Sequence, residues 1–196
     1  GRAGLGTLAA NTAQALRQRG ITSVTLVYDD SLFGNDRWPS GIAELDSNHV
    51  YYAPTSSMAV DGGRNWNGAD PADPDMFSTY PALSTQPARE AAQVFAQRLA
   101  EHGIAVNSSV EQGTVPEGTS PIAAVRSASL NEIMAFMLRH SDNSLAEEFG
   151  RLLALHLGAD NSPTGAVRSV EQVLVQQGIS TEGLIMLNCS GLSEES

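Results

Sequence analysis

Apolar residues recur at helical spacing in several stretches of the chain, and each stretch predicts an amphipathic helix. Leu5, Leu8, Ala9, Thr12 and Leu16 share one face over about residues 5–19. Ala91, Val94, Phe95 and Leu99 do so over 87–102, with Pro87 suited to a first helical turn. Leu130, Ile133, Met134, Met137 and Leu138 form a third such face, and Leu145, Phe149, Leu152, Leu153 and Leu157 a fourth. A last helix is expected over about 166–177, after Ser162-Pro163-Thr164-Gly165.

Three of these helices end on one phrase: Leu16 to Gly20-Ile21, Leu99 to Gly103-Ile104 and Leu174 to Gly178-Ile179. A glycine in the left-handed conformation stops the helix, and the following isoleucine folds back on the leucine one turn earlier. Strand-like runs follow at 23–28, 104–110 and 184–187, and a further short strand is expected within 121–127. Helix followed by strand, repeatedly, argues an α/β (α+β) fold. Residues 36–80 are rich in Pro, Gly, Asn, Asp and Ser and read as irregular, with a tight turn at Asp61-Gly62-Gly63. The irregular α/β part gives way to a helical part near residue 122, which predicts two domains, 1–122 and 123–196.

Between the third and fourth helical patterns lies Ser141-Asp142-Asn143, a polar elbow. Ser129 with Glu132 reads as a capping box opening the helix before it, and Ser144 with Glu147 as one opening the helix after it. Ser, Asp and Asn are what any helix start favours, so the triplet is readable as a cap or turn. With Ser144 assigned to capping, however, three further polar residues exceed what a cap needs.

Composition removes whole classes of chemistry. All 11 basic residues are arginine, so no Walker lysine, no Schiff base and no serine–lysine dyad is contained in these 196 residues. A net charge of −11 argues against nucleic acid, whose phosphates call for a basic surface. Cys189 is the sole cysteine, which excludes an intrachain disulfide and a multi-cysteine zinc site. The four histidines show no metal-binding spacing, and His140 adjoins the triplet, where it could tune it. Asp29-Asp30-Ser31 reads as a turn with solvated carboxylates, and Asp70, Asp73 and Asp75 as a loop that does not fit a calcium-binding pattern. No metal and no cofactor is expected, and no run is long and apolar enough for a transmembrane span.

Taken together, these features resemble one family. Ser-Asp-Asn is one of three signatures of the serine penicillin-recognising enzymes, beside S-x-x-K and K-T-G. Asp29-Asp30-Ser31 with Phe33 and Trp38, then Tyr52-Ala53-Pro54 with Ser56-Ser57-Met58, resembles the inserted domain of class C low-molecular-mass penicillin-binding proteins. These are D-alanyl-D-alanine carboxypeptidases/endopeptidases of the bacterial cell envelope. Ser190-Gly191-Leu192-Ser193 is similar to that family's Asp-x-Ser-Gly-Leu-Ser stretch, with Asn188 where the family usually has Asp.

The resemblance implies an inserted α/β domain joined to part of a penicillin-binding, β-lactamase-like catalytic domain. It also implies acyl transfer from a peptidoglycan stem peptide to a serine, followed by hydrolysis. Carried over by position, Ser141 would help shuttle the proton to the leaving amine, Asn143 would hold the substrate backbone, and Asp142 would be a variable middle residue. β-lactams would be ligands only of a protein with all three signatures, and the location would be extracytoplasmic (periplasm or cell envelope). The two lysine-bearing signatures are missing here, and the chain starts at Gly1, so the expectation is a middle piece of a longer enzyme. The competing reading is a non-catalytic envelope module that binds cell-wall peptide or protein.

Overall fold

The computed structural model describes residues 4–68 and 80–194; Asp70, Asp73 and Asp75 lie outside them. The elements run α1 (Leu5–Gln18), β1 (Ser23–Val24), β2 (Val27–Tyr28), α2 (Ile42–Leu45), a single 3-10 turn at Asp61–Gly63, α3 (Pro87–Glu101), β3 (Ala105–Val106), β4 (Glu111–Gln112), α4 (Leu130–His140), α5 (Asn143–Leu157) and α6 (Pro163–Gln176). The class is α/β with helix predominating. By contacts the chain divides into two compact units, each discontinuous in sequence: Gly1–Asp30 with Ala88–Met134, and Ser31–Pro87 with Ala135–Ser196.

The first unit repeats helix-then-strand. Ala9, Ala13 and Leu16 of α1 meet Leu99 of α3 and Ile104 in one buried cluster, with Val24, Phe95 and Val106 packed against it. The helices stop as the sequence predicts. Ile21 N–H donates to Leu16 O at 3.0 Å and Ile104 N–H to Leu99 O at 3.0 Å, across Gly20 and Gly103 at φ 72 and 76. β1 pairs in parallel with β3, and β2 with β4.

These strands are two residues each, shorter than the predicted runs. The register explains it. Val24 faces Val106 and Val27 faces Glu111, so three steps on one strand oppose five on the other. The two surplus residues break the ladder in the manner of a bulge. The expected strands at 184–187 and within 121–127 do not form. Of the two carboxylates anticipated as solvated, Asp30 is instead buried, while the half-buried Asp29 accepts from Val115 N–H at 2.8 Å in an exposed bond.

In the second unit α5 and α6 pack together. Gly150 makes the approach possible, because a Cβ there would lie 2.3 Å from Cys189 Sγ and 3.3 Å from Ala166 Cβ. The buried stripe of α5 is Glu147, Gly150, Arg151 and Ala154, not the leucine face the periodicity predicts; Leu152 and Leu157 are exposed. Likewise α4 buries none of its residues, and Leu130, Met134 and Leu138 stay exposed.

Arg151 explains why a polar stripe lies inside. Its guanidinium donates to the carbonyls of Phe33, Asp36 (2.7 Å) and Asn161 (2.9 Å) and to Asn161 Oδ1 (2.9 Å). It also lies over the Phe33 ring, 5.8 Å from the centroid. One cation thus ties the segment after residue 31 to the loop between α5 and α6. Burial lowers its pKa, with Asp36 as the main opposing influence.

Arg151→Met keeps length and apolar contact but strands these carbonyls. We expect it to lower the unfolding free energy by about 3 kcal/mol, read from the urea midpoint at constant m-value.

Candidate functional site

The polar elbow begins with an unusual backbone. Ser141 sits at φ 51, in the left-handed region that glycine ordinarily occupies at a helix end. Asp142 N–H donates back to Met137 O at 3.1 Å. This is the same six-residue closure that ends α1, α3 and α6, with serine in the glycine place. The chain therefore turns sharply between α4 and α5 and presents the Ser141 side chain outward, exposed.

Asp142, not Ser144, caps α5. Asp142 is extended, and its Oδ1 accepts from Leu145 N–H at 3.0 Å. The expected capping box of Ser144 and Glu147 does not exist, because α5 starts one residue before Ser144 and both of its members are used elsewhere. Ser144 Oγ accepts from Ala53 N–H at 3.1 Å, and Glu147 Oε1 from Ser190 N–H at 2.7 Å. The box at α4 does form: Ser129 N–H donates to Glu132 Oε2 at 2.8 Å, and Glu132 N–H to Ser129 Oγ at 3.4 Å. The Ser129 hydroxyl holds the Glu132 carboxyl below its usual range.

Asn143 opens α5 and donates through Nδ2 to Tyr51 O at 3.1 Å. Ser141 and Asn143 border one small pocket of about 50 Å³ together with Tyr51, Gly62, Arg64 and Tyr80. The Tyr51 and Tyr80 rings stand 6.0 Å apart at 51°, and both are at least half exposed. His140 also borders the pocket, its ring stacked on Phe136 at 4.3 Å. The hydroxyl of Ser141 and the Oδ1 of Asn143 make no hydrogen bond among the described residues, so both are available to a ligand at the rim.

Two features of this region escape sequence reasoning. Arg64 Nη2 meets Asp142 Oδ2 at 3.3 Å, with side chains only 11% and 13% exposed. Nothing in the sequence signals a pair 78 residues apart. Glu147 is buried against the turn at 188–192. Burial raises its pKa above the ordinary 4.5, opposed by hydrogen bonds from Cys189 and Ser190 and by Arg151. In the same place the Cys189 thiol is pushed up to about 12, again by burial. Asn188 is fully buried and uses both ends of its amide. Nδ2 donates to Ser40 O (3.1 Å) and Leu192 O (3.2 Å), and Oδ1 accepts from Gly191 N–H (2.8 Å). An aspartate could not make the two donations. No group of residues able to hold a metal ion occurs among the described residues.

With known proteins the chain shares nearly its whole length. The profile of the D-Ala-D-Ala carboxypeptidase 3 (S13) family matches residues 5–79 and 67–196. The carboxypeptidase DacB of Mycolicibacterium smegmatis is 30% identical over 184 residues, which is 94% of this chain and 37% of that protein. A D-alanyl-D-alanine carboxypeptidase of Actinomadura sp. (strain R39) is 30% identical over 165 residues, 78% of this chain and 30% of that protein. The chain thus spans about a third of the length of these relatives. In fold it is similar to penicillin binding protein 4 (dacB) from Haemophilus influenzae, with a TM-score of 0.72 at 18% identity over 95% of this chain and 54% of that one.

The strained bend and the buried acid each yield an expectation. Ser141→Gly removes the left-handed penalty and should raise stability by about 1 kcal/mol, whereas Ser141→Ala should not; urea midpoints compare them. The folded state keeps the Glu147 proton at pH values where the unfolded chain has lost it. Stability therefore falls as pH rises from 4.5 through the raised folded value, and levels beyond it. Glu147→Gln should flatten that part of the stability-against-pH curve.

Proposed function

The chain belongs to the D-Ala-D-Ala carboxypeptidase 3 (S13) family, and from that premise we propose that it is part of a serine-type D-alanyl-D-alanine carboxypeptidase acting on peptidoglycan stem peptides. As a division of the sequence, residues 1–122 are taken as the inserted domain and 123–196 as the catalytic domain; this differs from the division by contacts, in which 31–87 join 135–196. The nucleophilic serine and the lysines of S-x-x-K and K-T-G come from chain outside these residues, since no lysine occurs within them.

In the reaction, that serine attacks the penultimate D-Ala carbonyl, and the bond to the terminal D-Ala breaks as its nitrogen takes up a proton. Ser141 relays this proton, for which a hydroxyl that both donates and accepts is suited. Asn143, whose Nδ2 already donates to Tyr51 O, binds the substrate backbone through its unbonded Oδ1. Water then hydrolyses the acyl-enzyme and restores the serine. β-lactams acylate the same serine, and the site of action is extracytoplasmic. The observation that carries this reading is the placement of Ser141 and Asn143. Both lie at an open pocket rim with hydrogen-bonding capacity uncommitted to the fold.

A fluorescent penicillin tests it. The full-length protein containing this chain should be labelled covalently, and Ser141→Ala should slow labelling by about 100-fold. The 196-residue chain alone should stay unlabelled. A labelled chain, or an unlabelled full-length protein, would contradict the proposal; the latter result would favour a non-catalytic binding module.

A further inference from the structure

A non-glycine residue held at positive φ persists only where its surroundings over-determine it. At Ser141 the local chain supplies one backbone hydrogen bond, from Asp142 to Met137. Further restraints act on the residues after the bend: Asn143 donates to Tyr51 O, Ser144 accepts from Ala53 N–H, and Asp142, next to Ser141, carries two. Asp142 divides its carboxylate: Oδ1 caps α5 at Leu145, and Oδ2 meets Arg64. The cap fixes one oxygen, and Arg64 fixes the rotation of the group about it.

Arg64 is itself held in place. Its Nη1 donates to Asp61 O at 2.9 Å, and its backbone bridges to Leu83. The turn that carries it needs Gly62 at φ +65, where a Cβ would stand 2.9 Å from Nη1. The pair is mostly buried, so solvent screens it less than a surface ion pair. A residue from the 31–87 segment therefore sets the orientation of the middle member of a motif contributed by 135–196.

We propose that Arg64 is a positioning residue of this active site. Through Asp142 it holds the bend that aims Ser141 and Asn143 into the pocket, and it touches none of the reacting atoms. The inference rests on the function proposed above. It also makes Asp142 a working part of the motif and not an interchangeable spacer.

The test uses the full-length enzyme and the second-order rate constant of acylation by a fluorescent penicillin, measured with the fraction of enzyme labelled at saturation. R64M should lower the rate constant about tenfold while labelling at saturation stays complete. R64K, which keeps the charge, should recover most of the rate. D142N retains the capping oxygen and should lose a similar factor, and R64M/D142N should be no slower than either single variant.

A merely structural Arg64 would reduce the labelled fraction and leave the rate constant unchanged, and that result overturns the proposal. So does a double variant whose losses multiply. If R64M does not fold, R64Q is judged on the same two readings. Wild-type enzyme that is not labelled at all sinks the proposed function itself, a different failure from labelled wild type with an indifferent Arg64.

Discussion

The left-handed conformation of Ser141 is the constraint on which the candidate site depends. A helix that continued past His140 would bury the motif in its own turns. A bend through an ordinary loop would leave the side chains free to wander. One residue at φ 51 does neither: it ends α4, bends the backbone and lets α5 start two residues later. A serine there costs the chain about 1 kcal/mol more than a glycine would. What is gained is a hydroxyl on the outside of the sharpest point of the turn.

Around that bend, polar groups do the fixing that apolar packing does elsewhere. α5 turns Glu147 and Arg151 inward and leaves leucines outside. Each buried charge has a defined set of backbone partners: Arg151 gathers the carbonyls near residues 33, 36 and 161, and Glu147 takes the amide of Ser190. Directional bonds of this kind specify distance and angle, which dispersion contacts do not. Such bonds hold a few side chains in register, and with them the second unit forms a pocket from a largely irregular segment.

Helix positions and their glycine stops were legible, because a 3.6-residue period and a left-handed glycine leave local marks in Leu16–Ile21, Leu99–Ile104 and Leu174–Ile179. The same stop at Met137–Asp142 leaves no such mark, since serine conceals the backbone conformation that glycine advertises. Strand length was not legible: it depends on a three-against-five mismatch that exists only once β1 and β2 meet β3 and β4. The buried face of α5 is hidden from the periodicity for a related reason. Hydrophobic periodicity assumes that charges face water, and Glu147 and Arg151 satisfy their bonding from distant backbone. The triplet marks Ser141 and Asn143, which border one pocket; Arg64 carries no such local mark, as its partner lies far away in sequence.

Asn188 has one more implication. The turn at 188–192 hangs on two side chains, Glu147 through Ser190 and Asn188 through Ser40, Gly191 and Leu192. A carboxyl gains or loses a proton as the medium changes, whereas a carboxamide does not titrate in that range. In acid surroundings one tether changes its charge and the other is indifferent, so the Ser-Gly-Leu-Ser stretch retains an anchor that acidity leaves untouched.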